Sequence, residues 1–309
     1  MESSIYHIPV LLQESMEGLN IKSDGIYVDV TLGGGGHSRE ILSHLGKGGQ
    51  LFSFDQDADA IKKVQSDTSA QEKASWTLIR SNFRYLKNWM RYYGIDGIDG
   101  LLADLGVSSH HFDTAERGFS FRVDAPLDMR MNQQSGHSAA DIVNTYGADQ
   151  LTAVFRFYGE LRQAQQMAEA IVRERGKRPI QRTFQLADVL TPYIGRDREK
   201  KDLAKAFQAL RIEVNGEMDA LRDMLSAATE LLRPGGRLVV IAYHSLEDRI
   251  VKNLMRSGNL EGQIEQDIYG KISSPLRPVK KPIVASEEEV INNPRSRSAR
   301  LRIAEKVEV

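Results

Sequence analysis

Four consecutive glycines, residues 33–36, separate an apolar run from a helix-like pattern in the stretch VDVTLGGGGHSREIL (residues 28–42). A strand, a tight glycine turn and a helix form the ligand site of open α/β sheets, in which ligands bind at the carboxyl ends of the strands. Glycine suits such a turn because it adopts backbone conformations closed to other residues and lets a ligand approach the main chain. The stretch therefore predicts a cofactor loop in an α/β protein.

Short apolar runs alternate with helix-like periodicity along much of the chain, which is typical of a parallel sheet covered by helices. We predict strands at residues 26–32, 51–55, 76–80, 100–104 and 237–243, and a last strand at residues 299–307. The polar stretch at residues 257–282 predicts a long loop.

One long segment departs from this alternation. From about residue 115 to residue 215 no strand pattern occurs, and amphipathic helices follow one another; one begins with Ser138 and Asp141 at capping-box spacing. We therefore predict a discontinuous α/β domain, residues 1–114 and 216–309, with an all-helical insertion domain, residues 115–215, between the fourth and fifth strands.

The composition excludes several classes of function. The chain has no cysteine, which removes disulfides, thiolate metal sites and cysteine nucleophiles. Its formal net charge is −1, so a nucleic-acid surface would have to be local. The excess of Lys and Arg over residues 171–211 is such a candidate, with a solvated helix face as the alternative. Because no basic leader or long apolar run occurs, we expect a cytoplasmic bacterial protein with no membrane partner.

The spacing of the glycines separates two kinds of cofactor. A dinucleotide fingerprint needs a third glycine three residues after Gly35, and Ser38 stands there. The pattern acid, x, small, x, Gly, x, Gly fits Asp29, Thr31, Gly33 and Gly35, and it resembles the first motif of Rossmann-like S-adenosylmethionine methyltransferases. That cofactor has no phosphate but carries an amino group and a sulfonium cation, so an acid favours it, whereas it would repel pyrophosphate. A flexible turn without a ligand is the alternative.

The ends of the second and third predicted strands carry further candidates. Asp55 is placed to accept hydrogen bonds from both ribose hydroxyls, while Asp57 and Asp59 are expected to begin the next helix. Phe83 is a candidate to stack on adenine, with a place in the core as its alternative.

Asp104 ends the fourth predicted strand. In amino-directed methyltransferases an acid or Asn at this point can hold the N–H groups of the acceptor amine and direct its lone pair toward the methyl group. Asp104 has this role or binds the cofactor.

An ordered set of motifs covers nearly the whole chain: HIPVLLQE (7–14), GGGGHS (33–38), DLGVSS (104–109), AERGFSF (115–121), PLDMRMN (126–132), FQALRIEVN (207–215), YHSLEDRIVK (243–252) and NPRSRSARLRIAE (293–305). In these motifs the chain closely resembles the bacterial RsmH or MraW family. The resemblance implies a class I methyltransferase fold, S-adenosylmethionine as cofactor, and methylation of the exocyclic N4 amino group of a decoding-centre cytidine in 16S rRNA of the small ribosomal subunit.

Site residues follow from the same resemblance. The family's cofactor contacts fall on Gly35, Gly36, His37, Asp55, Phe83, Asp104 and His111, in addition to Gly33 of the glycine motif. His111 stands in SSHH where the family usually has SSPQ, so the loop loses the rigidity of proline. Beyond the fifth strand, His244 is a catalytic candidate that would contact the flipped base or a phosphate.

RNA recognition targets unstacked bases and their phosphates. Its candidate contacts in the insertion and near the C-terminus are Arg173, Arg175, Lys177, Arg178, Arg182, Arg295, Arg297, Arg300 and Arg302. We assign no metal ligands, and the oligomeric state is left open.

Three other functions fit the sequence less well. A nicotinamide-dependent oxidoreductase is disfavoured by the missing third glycine and by Asp29. A non-catalytic RNA-binding or assembly factor is disfavoured by the intact Asp55 and Asp104. DNA amino-methylation is disfavoured because DLGVSS lacks the aromatic, proline-rich turn typical of such enzymes.

Overall fold

A computed structural model gives the architecture of the protein and describes residues 9–67, 74–106, 115–134, 136–264, 266 and 274–308. The chain divides into two compact units, one made of Met1–Gly106 and Asp219–Val309 and the other of Val107–Met218. The predicted divisions at residues 114/115 and 215/216 lie within eight residues of these boundaries.

The first unit contains one sheet with the strand order β3-β2-β1-β4-β5-β8-β6, and β7 also pairs with β8. Its strands are β1 (Ile26–Asp29), β2 (Gln50–Asp55), β3 (Ser75–Arg80), β4 (Ile98–Asp104), β5 (Leu232–Ala242), β6 (Leu276–Pro278), β7 (Ile283–Val284) and β8 (Arg300–Lys306). The first five strands pair in parallel, whereas β8 is antiparallel to each of its partners. The α/β prediction is therefore confirmed.

Helices connect the parallel strands, as the alternating pattern predicts. The first unit contains α1 (Leu12–Leu19), α2 (Gly36–His44), α3 (Ala58–Asp67), α4 (Leu86–Tyr92), α11 (Ser245–Ser257) and α12 (Glu287–Asn292). Strands β2 and β4 are buried along most of their length because a parallel sheet is covered on both faces.

The helical unit has α5 (Ala139–Thr145), α6 (Ala148–Phe157), α7 (Ala164–Arg175), α8 (Thr183–Leu190) and α9 (Glu199–Asn215), after which α10 (Glu217–Leu231) leads back to β5. Each of the helices α5 to α9 contributes to an apolar core within this unit. In its described residues the insertion contains no strand, only one isolated bridge between Pro126 and Arg182. The predicted capping box forms, since Ser138 Oγ accepts from Asp141 N at 3.1 Å and Asp141 Oδ2 accepts from Ser138 N at 2.8 Å.

Several strand bounds differ from the sequence prediction, since β1 ends at Asp29 instead of residue 32 and β7 was not predicted. The polar stretch 257–282 is not entirely loop, because β6 lies within it and pairs with β8. Strand β5 begins five residues before the predicted residue 237, and the pairing register shifts between Ile98 and Gly100 of β4, opposite residues 232–237 of β5. The shift accommodates Pro234 and Gly235, a pair that is typical of a turn.

The antiparallel strand β8 also fixes a helix. Arg302 donates from Nε to Asp248 Oδ1 at 2.7 Å and from Nη2 to Asp248 Oδ2 at 3.0 Å, and this two-point pair joins β8 to α11. Both side chains are mostly buried, at 13% and 17% exposure. Arg300 contacts the same carboxylate at 3.4 Å but is 50% exposed. In the described part of the chain no helix is long and apolar enough to cross a membrane.

Removing the Arg302 guanidinium should destabilise the first unit. Arg302→Met leaves a mostly buried carboxylate without its two-point partner, so we expect the free energy of unfolding to fall by about 1–3 kcal/mol. Arg300→Met is the matched control, and it should change little because an exposed ion pair is weak. Urea unfolding followed by circular dichroism measures both, and equal losses for the two variants would contradict the interpretation.

Candidate functional site

The carboxyl ends of β1, β2, β4 and β5 lie side by side because these strands are parallel and adjacent. The predicted acids Asp29, Asp55 and Asp104 end β1, β2 and β4. This shared edge is where ligands bind in open α/β sheets.

Asp29 holds the start of the glycine loop. Its side chain is 1% exposed; Oδ1 accepts from Thr31 N at 3.0 Å and from Thr31 Oγ1 at 3.2 Å, and Oδ2 accepts from Ser38 Oγ at 2.6 Å. These bonds satisfy a carboxylate that would be costly to bury alone. Asp29 therefore fixes the loop to the first turn of α2, instead of facing a ligand as the sequence suggested.

The four glycines are needed for different reasons. Gly33 and Gly35 have φ values of 50° and 77°, a conformation that residues with a Cβ rarely adopt. A Cβ on Gly36 would lie 2.3 Å from Pro9 Cγ, so that glycine permits packing of the N-terminal segment. A Cβ on Gly34 would meet no atom within 4 Å, which leaves the middle of the loop open to a ligand.

His37 is buried in the first turn of α2, with 6% exposure. Its Nε2 lies 3.0 Å from Val10 O; because a carbonyl only accepts, Nε2 carries a proton. Its Nδ1 lies 3.9 Å from Asp104 Oδ2, too far for a hydrogen bond. The ring is thus directed at protein atoms, and the N–H groups of the first helical turn are what this segment can offer a ligand.

Asp55 joins the ends of β1 and β2. Its Oδ2 accepts from Gly33 N at 2.9 Å and its Oδ1 from Asp57 N at 2.8 Å. A carboxylate oxygen can accept from more than one donor, as a contact with a ribose hydroxyl would require. Asp57 accepts from Asp59 N at 3.0 Å, and α3 begins at residue 58, which confirms the predicted helix start.

Phe83 follows β3, the strand next to β2. It lies in a single 3-10 turn, Phe83–Tyr85, that contains no buried residue. Asn82 holds this turn by accepting from Arg84 N at 3.0 Å, and it donates to Gln56 Oε1 at 3.1 Å, directly after Asp55. Phe83 is therefore not a core residue, and its stacking role stays a prediction.

Asp104 is linked to the glycine loop through its own backbone. Its N–H donates to Thr31 Oγ1 at 2.7 Å, while Thr31 Oγ1 donates to Asp29. The Asp104 carboxylate accepts from Gly106 N at 3.3 Å and from the Tyr243 hydroxyl, and it remains 22% exposed. The carboxylate is thus held from several sides and still reachable.

Burial raises the pKa of the Asp104 carboxyl above its ordinary value. The His37 ring, the Tyr243 hydroxyl and the Gly106 N–H oppose that rise because they stabilise the ionised form, whereas Asp29 adds to it. Burial and the Asp104 charge also raise the pKa of Tyr243, with smaller contributions from Glu247 and Glu289, so its hydroxyl keeps its proton and acts as a donor.

Tyr243 is a site residue that the sequence reasoning missed. Its ring lies over Gly106, where an added Cβ would come within 2.8 Å of the ring. The available signal was its position, since it comes directly after β5 and parallel strands bring their carboxyl ends together.

His244 starts α11 and bonds within that helix. Glu247 N donates to His244 Nδ1 at 3.4 Å. His244 Nε2 lies 3.0 Å from Glu247 Oε1, but the two atoms are not aligned for a hydrogen bond. The side chain is 11% exposed. Its contact with a base or phosphate stays a prediction. His111 lies outside the described residues.

The basic side chains of the helical unit differ in their hydrogen bonds and in their exposure to solvent. Arg175 donates to Val143 O at 2.8 Å and Tyr146 O at 2.6 Å, so it closes the end of α5 and we withdraw it as an RNA contact. Arg182 pairs with Asp124 at 2.6 Å on the surface. Arg173, Lys177 and Arg178 are exposed.

The C-terminal candidates differ in the same way. Arg302 is withdrawn as an RNA contact because its guanidinium is mostly buried against Asp248. Arg300 contacts the same carboxylate at 3.4 Å. Arg295 and Arg297 lie exposed in a 3-10 turn, Pro294–Ser298, and stay candidates.

The sheet and its glycine-and-acid edge define the class of S-adenosylmethionine-dependent methyltransferases. A sequence profile of the MraW methylase family matches residues 4–307, and the chain belongs to that family. This confirms the resemblance seen in the sequence and the prediction of a methyltransferase, and it rules out the nicotinamide-dependent alternative.

Curated relatives match over nearly their full length. Proteins named ribosomal RNA small subunit methyltransferase H are 59% identical in Phocaeicola vulgatus (98% of both chains), 59% in Parabacteroides distasonis (99% of both) and 54% in Cytophaga hutchinsonii (98% of this chain, all of the relative). Among solved structures, an rRNA methylase from Streptococcus thermophilus has 12% identity and a TM-score of 0.43, covering 98% of this chain and 99% of its own.

The opening at Gly34 predicts how the loop responds to a side chain. Gly34→Leu should fill the open middle of the loop and weaken S-adenosylmethionine binding about tenfold or more, without lowering the melting temperature, because no protein atom lies within 4 Å of the added Cβ. Gly195→Leu is the control, since that glycine is equally open and lies in the helical unit. Calorimetric titration measures both, and unchanged affinity in Gly34→Leu would show that the cofactor does not approach there.

The hydroxyl of Tyr243 predicts a shift in the titration of Asp104. Tyr243→Phe keeps the ring over Gly106 but removes the donor that lowers the Asp104 pKa, so the carboxyl should become protonated at higher pH than in the unmodified protein. Carbon-detected NMR titration measures the midpoint, with the signal assigned through Asp104→Asn. Tyr92→Phe, at a tyrosine that is 75% exposed, is the control and should leave the midpoint unchanged. An unmoved midpoint in Tyr243→Phe would remove Tyr243 from the site.

Proposed function

We propose that this protein methylates the exocyclic N4 amino group of a decoding-centre cytidine in 16S rRNA, within the small ribosomal subunit. The observation that carries the proposal is the position of Asp104, a partly exposed carboxylate at the end of β4 that is tied through Thr31 to the glycine loop. Family membership and relatives named for the small-subunit ribosomal RNA support the substrate.

The cofactor side of the site consists of the loop between β1 and α2 and the end of β2. The middle of the loop is open to a ligand, and residues 33–36 with the first turn of α2 would hold the amino-acid part of the cofactor. Asp55 would accept the ribose hydroxyls and Phe83 would lie against adenine. When bound, S-adenosylmethionine supplies an electrophilic methyl group on a sulfonium and leaves as S-adenosylhomocysteine.

On the acceptor side, Asp104 orients the amine. The lone pair of a cytosine amino group is delocalised into the ring, so its nucleophilicity depends on alignment. A carboxylate that accepts the amine N–H bonds turns the lone pair toward the methyl carbon and stabilises the positive charge that develops on nitrogen. Tyr243 and Gly106 keep that carboxylate in place, which identifies Tyr243 as a positioning residue.

RNA recognition is assigned to the helical unit together with the C-terminal turn. Arg173, Lys177, Arg178 and Arg182 are exposed in the first, and Arg295 and Arg297 in the second. Phosphate contacts of this kind position the nucleic acid and make binding depend on salt. We place the protein in the cytoplasm because its proposed substrate is ribosomal RNA.

The proposal predicts a specific nucleoside. Mass spectrometry of small-subunit rRNA from a strain lacking this protein should show loss of the N4 methyl group on a decoding-centre cytidine, and the unmodified gene should restore it. Asp104→Asn should restore the mark poorly, because removing one oriented electrostatic contact typically lowers kcat by about 100-fold or more.

Asp96→Asn is the matched control, since Asp96 is exposed in the same unit and should restore the modification fully. Purified small subunits and naked rRNA are compared as acceptors, and the subunit is expected to be preferred. Methylation that persists in the deletion strain would sink the substrate assignment. Full activity of Asp104→Asn would sink the role of its carboxylate.

A further inference from the structure

The helical unit contains a groove that the sequence did not predict. It has a volume of about 500 Å³ and lies between the C-terminal half of α7 and the helix α8, with the 3-10 turn Thr191–Tyr193 at one end. Its lining residues come from a single stretch, residues 170–193.

Three of the predicted RNA contacts converge on this groove. Arg173 donates from Nη2 to the Tyr193 hydroxyl at 2.6 Å, which fixes both side chains without neutralising the cation. Lys177 pairs with Glu174 at 2.9 Å. Arg178 is exposed, and its guanidinium has no partner among the described residues. The other two basic candidates of this segment, Arg175 and Arg182, do not line it.

Apolar groups form a further part of the walls, beside the polar Gln185 and Asp188. The apolar groups are Ala170, Pro179, Ile180, Val189, Pro192 and the ring of Tyr193. Tyr193 and Val189 also pack against the core of the helical unit, so the walls are rigid. A groove of several hundred Å³ that combines apolar side chains with charged ones can hold a small polar ligand.

We infer that this groove binds one unpaired nucleotide of the RNA substrate, with its base against Tyr193 and Pro192 and its phosphates on Arg173 and Arg178. The inference rests on the proposed function, because it takes RNA as the ligand. Single-stranded RNA is recognised by stacking on aromatic side chains beside cations, and the groove offers both side by side.

The acids of the groove favour a single nucleotide over a length of duplex. Glu174 and Asp188 lie among the three cations, so the net positive charge is small and a continuous phosphate backbone would meet repulsion. One nucleotide brings one or two phosphates, which Arg173 and Arg178 can neutralise. The exposed Asp188 is then free to accept from the N–H groups of a base.

Binding to a single-stranded oligouridine of about twelve nucleotides, measured by fluorescence anisotropy, tests the inference. Arg178→Glu and Tyr193→Leu should each weaken binding roughly tenfold, and the charge reversal should also lower its salt dependence. Arg156→Glu is the matched control, since Arg156 is exposed in the same unit outside the groove. A duplex RNA of equal length should bind more weakly and respond less to the groove variants. S-adenosylmethionine affinity should not change in any of them.

Equal losses in Arg156→Glu and Arg178→Glu would mean a diffuse basic surface and overturn the inference. Unchanged RNA binding in both groove variants would also overturn it, and would leave the groove to another class of partner, such as an acidic peptide. The proposed function fails separately: wild-type protein that binds the oligonucleotide through the groove yet methylates no small-subunit rRNA would refute the activity and support the groove.

Discussion

The hydroxyl of Thr31 connects the two halves of the candidate site. It donates to the buried Asp29 and accepts from the backbone of Asp104, so the ends of β1 and β4 are joined by one side chain in addition to the sheet. This gives the Thr31 side chain a structural role between β1 and β4. Asp29 holds the same threonine and also Ser38, which in turn bonds Ser53 of β2 at 2.8 Å. A chain of short polar contacts therefore runs across three strands just beneath the loop.

Much of the fold could be predicted from the sequence because its signals are local. Apolar runs gave the five parallel strands, and the loss of alternation gave the helical insertion. Strand β6 was missed because it is only three residues long and lies in a polar stretch, where no apolar run indicates a strand. The early start of β5 was missed because proline and glycine predict a turn, whereas the sheet absorbs them in a register shift.

The chemistry of the site was only partly predictable. Residue type located Asp55 and Asp104 correctly at strand ends, whereas Asp29 was predicted inside a strand over residues 26–32 and in fact ends β1. Residue type also did not tell a buried acid from an exposed one. Asp29 accepts a hydrogen bond from Ser38, whereas Asp104 accepts one from Tyr243. The same limit applied to the arginines, which all carry the same charge. Arg175 donates to two backbone carbonyls and Arg302 pairs with a carboxylate, whereas Arg178 is exposed. Tertiary contacts decide which charges remain available.

The position of β8 has a consequence for how the protein is made. Strand β5 ends at Ala242, yet its outer neighbour is formed by Arg300–Lys306 in antiparallel register. Until those residues have been synthesised, the edge of β5 is unpaired, and unpaired edges are sites of aggregation. A chain that is cut short by a premature stop codon would thus lose more than its last residues: it would expose a sheet edge directly beside the site. A tag or fusion attached after β8 spares this pairing, whereas a shortened chain does not.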